Sequence, residues 1–298
     1  MSSSKISPRT IGCGRIHPCL PALFLTLFAT GASAEEQGIL MEAMSGAPSL
    51  LNDTFTATLG SFILESDTKV RLDGSSGQGT EINWSDSFGG GDGTRFRVDG
   101  AWRFGDSRRH KLRGMWFNFS QNRSAEFDRE INWGDATFPI NTTIESVYEF
   151  DIYELAYEYA FLRRENLELS GSFGLHLAQF KVGLSAEVET GGGTGTAEIG
   201  DEGKLNAPLP VIGGRAIWRI SGDFWLDAMV QFFALEYENV DGRLIDTRIG
   251  VLWQPKKWGG IGIGYNRFDM DVDVARERYT GKLDWIYDGP QIFYSVSF

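Results

Sequence analysis

From Thr54 to Phe298 the chain alternates apolar and polar side chains, broken at intervals by Gly-, Asp- and Ser-rich stretches. A two-residue period marks strands with one apolar face, because successive side chains of a strand point to opposite sides. The alternation predicts ten of them: Thr54–Arg71, Thr94–Phe104, His110–Arg123, Thr143–Leu162, Leu167–Val188, Pro208–Ile220, Phe224–Tyr237, Arg243–Trp253, Gly259–Val274 and Thr280–Phe298. In the fourth, Tyr153, Leu155, Tyr157, Tyr159 and Phe161 share one face, opposite Glu154 and Glu158. In the fifth, Phe173, Leu175 and Leu177 oppose Ser172 and His176. Each apolar face persists for about nine to eleven residues, the length a tilted strand needs to cross hydrocarbon.

The connections alternate in length. "GDSRR", "RREN", "SGD" and "QPKK" are short polar turns, and between them lie "GSSGQGTEINWSDSFGGGDG", "AEFDREINWGDATFPIN" and "TGGGTGTAEIGDEGKLNA". Tight turns at one end and long loops at the other are the plan of an up-and-down membrane barrel. Only "NVDG" is a tight turn on the long-loop side. This consistency favours ten strands over eight or twelve, with both ends of the chain on the short-turn side. Arg113 and Met115 share a face with Phe117 and Phe119 in the third strand, so a bulge is expected there. Another is expected near Gly289–Pro290, where proline removes a ladder donor. The long segments are expected as an exposed loop crown, and "TGGGTGT" as a mobile surface loop.

The chain has 298 residues and a net charge of −12. Residues 1–34 read as a secretory signal peptide: Lys5, Arg9 and Arg15, an apolar run from Leu20 to Thr30, then the small-residue site "GASA". Both cysteines, Cys13 and Cys19, fall inside it, so the mature chain holds no disulfide or thiolate metal site. Its loss removes three cations and no acid, and the more acidic product argues against nucleic acid as a partner. Residues 35–53 are expected as a periplasmic leader, disordered in the first reading and folded into the periplasmic mouth in the second, and 54–298 as the barrel. No later stretch is long and apolar enough for a spanning helix, which leaves a closed all-β barrel, transmembrane and antiparallel.

A soluble sandwich would also alternate. Here, however, the polar faces carry charges of both signs on at least five strands. Aromatic residues also gather beside the short turns: Trp102, Phe104, Phe161, Phe224, Trp253, Trp258 and Phe298. They read as an interfacial girdle. The final strand, with Ile292, Tyr294, Val296 and Phe298 in alternation, resembles the C-terminal signal of Gram-negative outer-membrane β-barrel proteins. That resemblance implies recognition by the barrel-assembly machinery and a setting of outer-membrane lipid and lipopolysaccharide. It covers the last strand and the general architecture.

Inside such a barrel the polar face becomes the lumen. The alternation sends Arg95, Arg97, Asp99, Glu154, Glu158, His176, Arg215, Asp227, Asp246 and Arg248 inward, with Arg103 beside them. Ten strands lie near the size that side chains fill, so oppositely charged groups are expected to plug the interior. Catalytic candidates are few. Ser172 and His176 lie four apart on one strand, about 13 Å by strand rise alone, too far for a nucleophile and its base. His176 is better read as hydrogen-bonded to Glu154 or Glu158. The omptin proteases are also ten-stranded, but they are similar in strand count only. Their acids and histidine sit at the outer rim, where this sequence offers Glu149 and Asp151 but no histidine. Asp269, Asp271 and Asp273 share a face, and with Arg267, Arg276 and Arg278 nearby they read as a solvated rim rather than a calcium site. The expectation is a barrel with no enzymatic activity and no cofactor, structural or surface-interacting. A narrow channel is the alternative, and a lipid- or peptide-acting hydrolase the next.

Overall fold

The computed structural model describes residues 50–75, 77–89, 93–189, 196–237, 240–275 and 280–298. The signal peptide and residues 35–49 of the leader lie outside them. Ten long strands close into one antiparallel barrel: β1 (Phe55–Asp73), β3 (Gly93–Phe104), β4 (His110–Phe127), β7 (Thr142–Arg163), β8 (Leu167–Glu189), β9 (Thr196–Ser221), β10 (Phe224–Tyr237), β11 (Val240–Lys256), β12 (Gly259–Ala275) and β13 (Thr280–Ser297). β13 pairs back onto β1, from Thr56 opposite Ser297 to Asp73 opposite Thr280. The long loops add β2 (Ile82–Asn83), a one-turn helix α1 (Trp84–Phe88), and a hairpin of β5 (Ile131–Trp133) and β6 (Ala136–Phe138). No helix among the described residues is long and apolar enough to cross a membrane.

An apolar belt encircles the barrel. On β7 it runs from Tyr153 to Phe161, on β9 from Ile212 to Ile220 and on β12 from Ile261 to Tyr265, all exposed on the outer face. Its lower edge is the expected girdle: Phe55 stacks on Trp102 at 6.4 Å, Phe298 lies 5.7 Å from Phe55, and Phe224 stacks on Trp253. Ile292 and Tyr294 of the closing strand face outward in the same belt.

The strands are longer than the belt. β7, β8 and β9 have 22, 23 and 26 residues, about twice what a tilted strand needs to cross hydrocarbon. Above the belt, on the long-loop side, the wall parts along two seams. The β9–β10 ladder stops at Ile212–Phe232, and the β3–β4 ladder stops at Arg97–Phe117. Beyond them the ladders leave β4–β7–β8–β9 on one side and β10–β11–β12–β13–β1, with the start of β3 and then β2 on β1, on the other. Sequence accounts for the first seam. Pro208 and Pro210 stay registered on Leu177 and Leu175 of β8. Proline lacks an N–H, so a strand carrying it is tolerated as an edge.

The inner faces of the two sheets enclose an aromatic core. Phe150 and Phe180 of one meet Trp285 of the other at 3.9 and 5.9 Å between ring centres. The first two long loops fold into this core rather than standing as a crown. Trp84 lies 5.7 Å from Trp133 and 6.0 Å from Tyr148, and Ile82, Phe88, Ile131 and Phe138 are buried with them. The third long segment likewise does not stand as a loop where it is described, while the expected mobile stretch "TGGGTGT" lies, save for Thr196, outside the described residues. Thr196–Ala207 continues β9 in register with β8, while residues 190–195 lie outside the described part.

Neither expected bulge is present. β4 pairs with β7 without interruption from His110 to Phe127, and Lys111, Arg113, Met115, Phe117 and Phe119 all face inward. Their mixture of charge and aromatic character reflects a lumen that changes from polar to apolar along one face. At Pro290 the β13–β12 register is continuous, and the β1 ladder merely skips Ile63 and Leu64 before resuming in the same register. Gly289 is required there, because a Cβ would collide with the Ile63 carbonyl oxygen.

Candidate functional site

The half of the lumen inside the belt is built from inward positions of eight strands, and it is charged. Arg103 and Lys111 both reach Glu168, at 2.7 and 3.3 Å. Lys111 also binds Glu158 at 2.7 Å. Arg113 spans Glu158 and Glu154, at 2.9 and 2.6 Å. Arg215 lies 3.5 Å from Glu158 and grips Asp227 with two hydrogen bonds of 2.7 and 2.6 Å. Arg248 joins Asp227, at 4.0 Å, to Asp99, at 2.9 Å. Asp99 takes Arg97, which donates to Asn266, which donates to Asp246. One chain of contacts thus runs across the cross-section, with Arg97, Arg113, Glu154, Glu158, Glu168 and Asp246 almost wholly buried. Buried ions are tolerated only when paired and hydrogen-bonded, and here each bridges to the next.

The structure brings together nine of the expected lumen residues: Arg97, Asp99, Glu154, Glu158, His176, Arg215, Asp227, Asp246 and Arg248. Arg95 belongs to the aromatic half, with its guanidinium 4.4 Å from the Phe119 ring centre. Lys111, Arg113 and Glu168 are central to the network and absent from that set. Their parity carries the signal: Lys111 and Arg113 share a face with Phe117 and Phe119, which are inward rather than lipid-facing. His176 is fully buried, its Nε2 3.5 Å from Glu154 and its ring parallel to Phe268. Glu154 is the partner the alternation assigns to it, at a long contact distance, and the Glu154 carboxylate also accepts from Arg113 and Gln231.

Two adjoining cavities of about 60 and 70 Å³ and mixed lining remain in this half, both bordered by Thr56, Thr58, Ala101, Arg215, Asp227 and Phe293. Each has room for a few water molecules. At the short-turn mouth, residues 50–53 of the leader fold into the barrel. Leu51 packs on Ile217, Trp225 and Leu252. Apolar positions at the foot of a charged lumen need cover, and Leu51 supplies it.

The other candidates separate. His110 sits at the short-turn end, its Nδ1 2.6 Å from the Tyr157 hydroxyl. Asp269, Asp271 and Asp273 lie on the outer face of β12, with Arg267 3.7 Å from Asp269, while Arg276 and Arg278 fall outside the described residues. Among the described residues no group of three or more acids and histidines is placed to hold a metal ion. At the long-loop tip, Asp135 accepts from the Ser75 backbone N–H at 2.7 Å and its hydroxyl at 2.8 Å. These donors hold its carboxyl below the usual carboxylate range.

No protein-family model and no curated protein matches this sequence. Among solved structures the chain is similar to the outer-membrane protease OmpT from Escherichia coli, with a TM-score of 0.53, 11% identity, and 84% of this chain and 99% of OmpT covered. The chain has the fold of a Gram-negative outer-membrane β-barrel protein. More distant outer-membrane barrels are the toluene transporter TodX of Pseudomonas putida and the attachment invasion locus protein Ail of Yersinia pestis. TodX has a TM-score of 0.36 at 8% identity, over 86% of this chain and 94% of that one. Ail has 0.28 at 8%, over 80% and 99%. Within this outer-membrane barrel the two described histidines, His110 and His176, stand at the short-turn end and in mid-lumen, away from the long-loop rim.

Proposed function

We propose that this protein is a non-conducting, non-enzymatic outer-membrane barrel whose role is structural or surface-interacting. Its short turns and both ends face the periplasm, and its two-sheet upper body stands outside the cell. The observation that carries this reading is the doubly filled interior. A continuous ionic network crosses the lower lumen, and above it the inward-folded loops complete an aromatic core. Ions in transit would have to break buried pairs and then cross apolar packing, and both steps are costly. The rigid upper body, with polar outer faces, is the part a partner would meet. Lipopolysaccharide and outer-membrane lipid surround the belt in this reading, and the outward Ile292, Tyr294, Val296 and Phe298 serve the assembly machinery.

Conductance of the refolded protein in a planar bilayer tests it. Silence from verifiably folded barrels is the expected result. Discrete, salt-dependent steps whose selectivity shifts in Arg97→Gln or Glu158→Gln would replace it with the narrow-channel reading.

A further inference from the structure

We propose that Leu50–Asp53 form a stopper that seals the chamber of the lower lumen from the short-turn side. The proposal deepens the blocked-lumen reading, since the aromatic core closes the same chamber from the opposite side. Three observations carry it.

The first is the seat. Ile217 of β9, Trp225 of β10 and Leu252 of β11 face inward at the foot of a lumen crossed by the ionic network, and Leu51, only 2% exposed, covers them. The second is the clamp, which comes from four separate places around the rim. Arg163, at the β7–β8 turn, donates to the Leu51 carbonyl and to the Asn52 side chain. Arg103 of β3 reaches the Leu50 carbonyl at 3.4 Å. Lys257, at the β11–β12 turn, lies 3.2 Å from Asp53, and Ser297 of the closing strand donates to the same carboxylate at 2.6 Å. The third is position. Leu50 and Asp53 border the lower of the two cavities and neither borders the upper, so the segment forms the floor of the chamber. Apolar contact, carbonyl clamps and one ion pair make a seat that can be vacated without unpairing any strand.

Thiol accessibility tests the proposal. The reporter is Ala101→Cys, whose side chain borders both cavities. It is carried in the full chain together with Cys13→Ser and Cys19→Ser, the only native cysteines. A small cationic methanethiosulfonate reagent is applied to the folded barrel. In the variant Leu51→Asp, labelling of the reporter should accelerate tenfold or more, while Asp106→Cys on an exposed short turn labels equally fast with or without the substitution. Equal reporter rates in both backgrounds would overturn the stopper. Should Leu51→Asp fail to fold, Arg163→Gln loosens the clamp, together with the Arg163 contacts to Glu168 and the Ser107 carbonyl, and should give a several-fold rise. No rise in that variant would overturn the proposal equally. Conductance of the same variants separates the two readings. Both should stay silent, and current steps in them would sink the blocked upper lumen while leaving the stopper standing.

Discussion

Glu158 meets three cations, Lys111, Arg113 and Arg215, and is almost wholly buried. A carboxylate so placed is worth little as a net gain over an apolar core, yet removing one partner strands the others. Arg113→Ala should therefore lower stability by about 3–5 kcal/mol, measured as the urea midpoint of the folded barrel in detergent. Adding Glu154→Gln should recover part of the loss, because Arg113 is the cation that Glu154 binds. A single substitution that costs nothing would mean that the network is wet and solvated. Gly289 gives a contrasting residue-scale test. Gly289→Ala forces a Cβ onto the Ile63 carbonyl and should cost about 1–3 kcal/mol, whereas Gly100→Ala meets no neighbour within 4 Å and should be neutral.

At the scale of elements, the loops are the surprise and the strands are not. Strand positions were legible because a two-residue period survives any surroundings, and the belt reads out directly as apolar side chains on that period. The lumen was half legible. Alternation assigns a side chain to the inward face but not to a height, so the same parity that places Arg113 among ions places Phe117 and Phe119 among rings. The inward loops had a signal of their own. Trp84, Phe88, Trp133 and Phe138 are large apolar residues in segments that a solvated crown would leave polar, and each is buried. Trp84→Ala should cost about 3–5 kcal/mol in the same urea assay while far-UV circular dichroism keeps its strand signal. The tie between the two loops is acid-labile. Asp135 has its folded value depressed by the Ser75 donors, so its contribution is complete above the ordinary carboxylate range, about pH 4, and is lost as pH falls through the depressed value. Pepsin cleavage within residues 128–141 should accelerate at the acid end of that window. Asp135→Asn should flatten the dependence, and an unchanged profile in that variant would remove the tie from the account.

At the largest scale the described residues form one barrel below and two facing sheets above. The belt needs closure because lipid satisfies no backbone group, and the projecting part does not, because water does. Amides of Asn118–Phe127 in β4 and Thr196–Val211 in β9 should accordingly exchange faster than those of β7 and β8 at the same height, since each seam leaves alternate N–H groups without a strand partner. Uniform protection around the barrel at that height would mean that the seams close in solution. The seam along β9 has a further consequence for a crowded membrane. Neighbouring copies all lift an unzipped border to the same altitude above the lipid, the arrangement from which sheets fuse from molecule to molecule. Pro208 and Pro210 sit at the root of that border, so a zipper between neighbours finds two missing teeth where it would have to start.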